Sequence, residues 1–206
     1  MIAKAPVAGR SKTRLTPPCT PAQAAELAEA ALVDTLTAVA ASHCDRRVLV
    51  LDGEPGIWLE PFAGFEVIAQ RGTGLGQRLA GAFADIGDPA FLIGMDTPQV
   101  DVVDLEAGLA ALNGADAALG LAPDGGYWGI GLARPVAGVF DDVPMSAGDT
   151  GAIQLDRLRR LGLRTTLLRS LRDVDTFDDA VSVARAAPGT RFAQTLSAIA
   201  AVGVAA

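Results

Sequence analysis

The sequence predicts one α/β domain over residues 1–206, built on a doubly wound, mostly parallel sheet. Three observations predict it. Short apolar runs alternate along the chain with longer helical stretches, as strands joined by crossover helices do. Most of these runs are apolar throughout rather than at every second position, as strands covered on both faces are. The helical stretches open on capping residues or close on glycine. With 206 residues, 50% of them hydrophobic, the chain can build one sizeable core but not comfortably two.

The strands read as 46–52 (RRVLVLD), 65–69 (FEVIA), 90–95 (AFLIGM), 116–122 (DAALGLA), 127–133 (YWGIGLA) and 163–169 (LRTTLLR). Thr20-Pro21-Ala22-Gln23 is a capping box with proline at the first helical position, and it opens a helix running to about Ser42. Further helices are expected near 75–86, 101–112, 149–161 with Gly162 closing it, and 176–187 opened by Thr176 and Asp179. Asp124-Gly125 between two apolar runs signals a hairpin. The tail 195–206 (TLSAIAAVGVAA) is alanine-rich and expected to fray.

The net charge of -7 excludes a broad polyanion-binding surface, so nucleic acid is not an expected partner. No apolar run reaches the roughly 18 residues of a membrane span, and the opening MIAKAPVAGRSK lacks a leader's apolar segment. The expectation is a cytoplasmic chain with no membrane span. Cys19 and Cys44 read as reduced thiols, and the single His43 reads as a surface turn, which disfavours Ser-His-Asp hydrolysis and histidine-rich metal sites.

In sheets of this class ligands sit beyond the carboxyl ends of the strands. Four stretches there carry candidate chemistry. AKAPVAGRSKTRL holds Lys4 and Lys12, the only lysines of the chain, in a loop broken by Pro6 and Gly9. With Arg10 and Arg14 it gathers four cations in eleven residues, a field suited to a di- or triphosphate. It lacks the glycines of a P-loop. Lys12→Ala is expected to remove a phosphate contact from a largely solvated loop with little effect on folding. FLIGMDTP places Asp96 at a strand end, where it can ligate Mg²⁺ through oxygen. PDGGYW offers Asp124, Gly125 and Gly126, a turn that also permits close backbone approach to a ligand. RDVDTFDD puts Asp173 and Asp175 before a capped helix, where either could be a second metal ligand. Gly72-Thr73-Gly74-Leu75-Gly76 lacks dinucleotide-binding spacing but suits a loop touching a nucleotide.

Together AKAPVAGRSKTRL, LGQRL, IGMDTP, PDGGYWGIGL and DVDTFDD resemble, in order and spacing, the bacterial DUF2064 proteins, a glycosyltransferase-like family of the nucleotide-diphospho-sugar transferase superfamily. The resemblance runs from Ala3 to about Asp179 and implies the Rossmann-like GT-A type of fold, a nucleotide substrate, a divalent metal near Asp96 and the cationic loop over the phosphates. Phospholactate guanylyltransferase looks similar at the same places. The chain departs from the family at Gly74 and Gln77, where acidic residues are usual, at Trp128-Gly129, where Tyr-Leu is usual, and at its start. Only Met1 and Ile2 precede Ala3 where the family has a full strand, so a truncated first strand is expected, either extended by upstream residues or left as a short remnant.

The resulting expectation is a Mg²⁺- or Mn²⁺-dependent transferase acting on an activated nucleotide. Glycosyl transfer from a nucleotide sugar is favoured, with nucleotidyl transfer from an NTP and an inactive nucleotide-binding protein as alternatives. Lys12, Arg14 and Asp96 are the expected catalytic groups, and Asp96, Asp175 and Asp173 the expected metal ligands. Lys4, Pro6, Gly9, Arg10, Lys12, Gly74, Gly76, Asp124, Gly125 and Gly126 are expected around the nucleotide. The acceptor, the base and whether the chain forms a homo-oligomer stay open.

Overall fold

The computed structural model describes residues 1–145 and 147–204. Among these residues seven strands and six α-helices follow in the order β1 (Ile2–Lys4), α1 (Pro21–Ala41), β2 (Arg47–Asp52), β3 (Phe65–Ala69), α2 (Leu75–Ile86), β4 (Ala90–Ile93), α3 (Val102–Ala111), β5 (Ala117–Leu121), β6 (Tyr127–Leu132), α4 (Thr150–Arg160), β7 (Thr165–Leu167), α5 (Phe177–Ala186) and α6 (Arg191–Val204). One ladder has the order β1-β2-β3 and is wholly parallel; the other has the order β4-β6-β5-β7. In the second, β6 runs antiparallel to both neighbours while β5 and β7 pair in parallel. The Asp124-Gly125 turn is the reason: a tight hairpin reverses the chain, whereas parallel strands need a crossover. The backbone N–H of Lys4 meets Met95 Sδ at 3.4 Å, which sets the end of β1 beside the end of β4.

β1 is the short strand expected at the chain start. Its register pairs Ile2 with Val50 and Lys4 with Asp52, and the buried Met1 amino group donates to the Val48 carbonyl at 2.6 Å. Helix starts follow local chemistry. Thr20 accepts from Gln23 N–H at 3.2 Å while Gln23 Oε1 accepts from Thr20 N–H at 2.8 Å. Asp101 with Asp104, and Thr176 with Asp179, form the same reciprocal box.

Most of the tail expected to fray is helical, and its last two residues lie outside the described ones: α6 begins at Arg191, ahead of that stretch, and buries Phe192 completely in a cluster with Leu27, Ala31 and Val183. Its start is held from a distance: Asp34 on α1 accepts from the N–H groups of Arg191 at 2.9 Å and Phe192 at 2.8 Å. These are two of the donors that a helix start leaves unpaired.

Trp128, a departure from the family pattern, is a packing residue. It is buried, lies over Gly120, meets Phe91 edge-on with centroids 5.6 Å apart, and donates its indole N–H to the Arg169 carbonyl at 3.0 Å. That bond, with Leu171 N–H donating to the Leu121 carbonyl at 3.3 Å, lays residues 169–175 across the strand ends. No helix among the described residues is long and apolar enough to cross a membrane.

Candidate active site

The ends of β1 and β4 and the segment that follows β7 bring Lys12, Arg14, Asp96, Asp173 and Asp175 together. Beyond β1 the chain turns on Val7, whose carbonyl accepts from Arg10 N–H at 3.0 Å and Ser11 N–H at 2.9 Å, with Gly9 at φ +75°. Lys12 then adopts the left-handed conformation, φ 49°, and its side chain turns inward. Its Nζ lies 2.7 Å from Asp96 Oδ1 and also donates to the Val174 carbonyl. Val174 N–H in turn donates to the Asp96 carbonyl at 2.8 Å. The Lys12 side chain is only 8% exposed, whereas Asp96 is 44% exposed. The loop around it is largely solvated, but Lys12 itself is not: this lysine ties the loop to the strand ends. Arg14 makes a more open pair, Nη1 to Asp175 Oδ2 at 3.0 Å.

The carboxylates converge differently from the sequence reading. Asp124, Asp173 and Asp175 each offer an oxygen, and all three lie within 4.8 Å of one another. Asp96 stands close enough to help raise the Asp173 pKa, but its own Oδ1 is taken by Lys12. Asp124 therefore joins the acidic group through the hairpin turn, where Gly126 N–H donates to its Oδ1 at 2.9 Å and orients it. Burial, then the neighbouring charges of Asp124, Asp175 and Asp96, push the Asp173 carboxyl up to about 6. Asp173 Oδ1 is buried without a hydrogen-bond partner. A buried, partnerless carboxylate oxygen beside two more carboxylates is a hard-oxygen donor set, and it fits Mg²⁺ or Mn²⁺.

The glycines build walls. At Gly125, φ +93°, an added Cβ would lie 1.8 Å from the Gly148 carbonyl oxygen, so the turn and the segment before α4 touch through backbone. Gly151 N–H donates to the Gly125 carbonyl at 2.7 Å. Gly74 caps α2 in an open position, and Gly76 packs beside Phe140 and Met145. Pro6 lies half-buried in the cationic loop.

Sequence reasoning missed a second polar group on the same edge. Arg78 of α2 donates to Asp52 Oδ2 at 2.7 Å and to Gln70 Oε1 at 3.1 Å, and Gln70 donates to the Ala3 carbonyl at 2.6 Å. The Arg78 hydrogen bond, helped by the charges of Lys4 and Arg10, holds the Asp52 carboxyl below its ordinary range. Lys4 and Arg10 form no ion pair among the described residues. Asp52 closes the apolar run RVLVLD just before Gly53, so the strand-end rule that singles out Asp96 would also have found it.

The chain matches the model of a bacterial family over residues 35–147, that of DUF2064, described as an uncharacterized protein conserved in bacteria. It is 34% identical over 200 residues to the 3-phospho-D-glycerate guanylyltransferase of Phenylobacterium zucineum (strain HLK1), a match covering 91% of this chain and 90% of that protein. Among solved structures it is similar to a candidate nucleotide-diphospho-sugar transferase from Desulfovibrio desulfuricans G20, with a TM-score of 0.83, 28% identity, and coverage of 97% and 94% of the two chains. Rv0371c from Mycobacterium tuberculosis H37Rv, solved in complex with manganese, is similar in fold, with a TM-score of 0.51, 21% identity, and coverage of 88% and 95%.

Proposed function

The chain belongs to the bacterial DUF2064 family, and on that premise we propose that it is a divalent-metal-dependent nucleotidyltransferase. In this reading it moves a nucleoside monophosphate from an NTP, GTP by likeness to its curated relative, onto the phosphate of a small phosphorylated acid. The observation that carries the reading is the junction of charges: the cationic loop of Lys4 to Arg14 meets the Asp124, Asp173 and Asp175 cluster through the Lys12–Asp96 and Arg14–Asp175 pairs. A polyphosphate needs both signs in one place, cations for its oxygens and carboxylates for its metal.

The roles follow from the geometry. Lys4 and Arg10, free of ion pairs among the described residues, receive phosphate oxygens. Lys12 and Arg14 neutralise charge on the attacked phosphate and on the departing pyrophosphate. Asp124, Asp173 and Asp175, with Asp96 adjoining, would hold the ion, which when bound neutralises and polarises phosphoryl oxygens. An acceptor phosphate oxygen attacks the α-phosphorus, and the bond to the bridging oxygen breaks as pyrophosphate leaves. No protein nucleophile is needed, so the single exposed His43, paired with Glu106, plays no part.

A second reading is glycosyl transfer from a nucleotide sugar, favoured by the likeness to the Desulfovibrio protein. The two readings share the loop and the acids and differ in the bond broken.

A panel of NTPs, nucleoside diphosphates and nucleotide sugars, each with Mg²⁺ and with EDTA, separates them. A ligand at a hundred times its Kd stabilises the fold by about 2.7 kcal/mol, roughly 5–11 °C in melting temperature for a domain of this size. GTP with Mg²⁺ should give such a rise, and GTP with 3-phosphoglycerate should release pyrophosphate. A nucleotide sugar stabilising well beyond its diphosphate, with no pyrophosphate release from any NTP, would favour glycosyl transfer. Asp96→Asn should remove turnover and keep the fold; unchanged turnover refutes the role given to Asp96.

A further inference from the structure

We propose that Lys12 is the resident counter-cation of the acidic group, so that the site admits its divalent ion together with a nucleotide's phosphates and resists free metal. This rests on the metal reading above. Lys12 Nζ sits 2.7 Å from Asp96 Oδ1 and donates to the Val174 carbonyl, inside a side chain that is 8% exposed. Val174 lies between Asp173 and Asp175, so one ammonium bridges the strand-end acid and the backbone that carries two of the three clustered carboxylates. Arg14 repeats the arrangement on the outer side, against Asp175 at 3.0 Å. The protein thus supplies its own positive charge beside the clustered carboxylates.

A free divalent ion drawn toward Asp96 must displace an ammonium that has little water and no other carboxylate partner among the described residues. Leaving a buried charge unpaired is costly. A nucleotide changes this balance. Its phosphates give Lys12 new acceptors, the lysine can leave Asp96 without losing its partners, and the carboxylate opens to the ion arriving on the same phosphates. Metal and phosphates then favour each other through Lys12, and such coupling is reciprocal.

The test is binding, read without turnover. Mn²⁺ alone is titrated into nucleotide-free protein and free Mn²⁺ is followed by electron paramagnetic resonance. Lys12→Met should bind Mn²⁺ about tenfold more tightly than wild type, within the usual range of coupling between sites. Arg159→Met, which removes the same charge from the exposed end of α4, should not. Asp96→Asn should leave Mn²⁺ affinity within about twofold in the wild-type background, where Lys12 already occupies that oxygen, and should cancel the gain in the Lys12→Met background. In EDTA, GDP affinity by equilibrium dialysis should fall in Lys12→Met, opposite in direction to the Mn²⁺ change. Mn²⁺ affinity in Lys12→Met equal to or weaker than wild type, or falling together with GDP affinity, overturns the proposal while leaving the metal reading standing. Should Lys12→Met fail to fold, Asp96→Asn alone decides: unchanged Mn²⁺ affinity supports the proposal and weakened affinity overturns it. Absence of saturable Mn²⁺ binding in every protein overturns both readings.

Discussion

Asp173→Asn should make the metal-free protein more stable, and only at the pH where the carboxyl is charged. Burial and the neighbouring acids raise the native Asp173 pKa from an ordinary 3.8 to about 6. A raised carboxylate pKa means that the native state binds the proton more tightly than the unfolded chain. Stability therefore falls as pH rises from about 4 through 6 and stays lower above that window. Two pH units correspond to roughly 3 kcal/mol. The side chain is half-buried and water screens part of this, so about 1.5 kcal/mol is the working figure. For a domain of this size that is roughly 3–6 °C in melting temperature. Thermal unfolding of wild type and Asp173→Asn in EDTA, from pH 4 to pH 8, measures it. The variant should melt higher at pH 8, with the gain shrinking toward pH 4. A variant that melts lower at pH 8, or a gain independent of pH, would refute the account of Asp173 as a carboxylate held at a cost in stability. Such a cost is what a site kept ready for a cation carries.

Gly125→Ala should destabilise the fold by about 2–4 kcal/mol, because the new Cβ meets the Gly148 carbonyl at a backbone angle that disfavours side chains; chemical denaturation measures it, and a loss under 1 kcal/mol would mean the turn is free to move. Phe192→Ala should cost about 3–5 kcal/mol by emptying the junction of α1, α5 and α6, and an unchanged midpoint would show that α6 does not support the core. Asp34→Ala should cost about 1–2 kcal/mol by releasing the two N–H groups at the start of α6, with faster amide exchange at Arg191 and Phe192 as its signature.

Elements whose causes are local were legible in the sequence. The boxes Thr20–Gln23 and Thr176–Asp179 lie three residues apart and fixed the starts of α1 and α5, and Asp124-Gly125 announced the β5–β6 reversal. The start of α6 carries a local cap that the reading passed over, Thr190 Oγ1 accepting from Ala193 N–H at 3.2 Å, while Asp34, which holds the N–H of Arg191 from 157 residues away, was not legible at all. The alanines of α6 read as a weak tail, and only the packing of Phe192 on α1 shows otherwise. The site divides in the same way. That the strand-end loops carry charge was plain, but which charge faces which was not. Asp124 was expected at the nucleotide but not among the metal ligands, because its turn accounted for it, although a carboxylate that caps its own turn can still present its other oxygen to a cation. Asp52 ends β2, Gln70 directly follows β3 and Arg78 lies on α2, and only the packing of these elements gathers them.

The chain's two lysines share one loop, and for Lys12 the structure gives a physical reason to be lysine. An ammonium is a compact point charge with three donors on a flexible stem, whereas a guanidinium is a planar fork suited to paired oxygens in one plane. The partners of Lys12 are a single carboxylate oxygen, Asp96 Oδ1, and a backbone carbonyl, that of Val174, reached from a left-handed backbone position by a side chain that is largely buried. That set is met by a point charge and leaves a third donor unused. Arg14, with a side chain 67% exposed, meets Asp175 where solvent leaves room for the larger group. The composition of the chain favours arginine nearly everywhere; the pair of single acceptors at Asp96 and Val174 is where a point charge suits better.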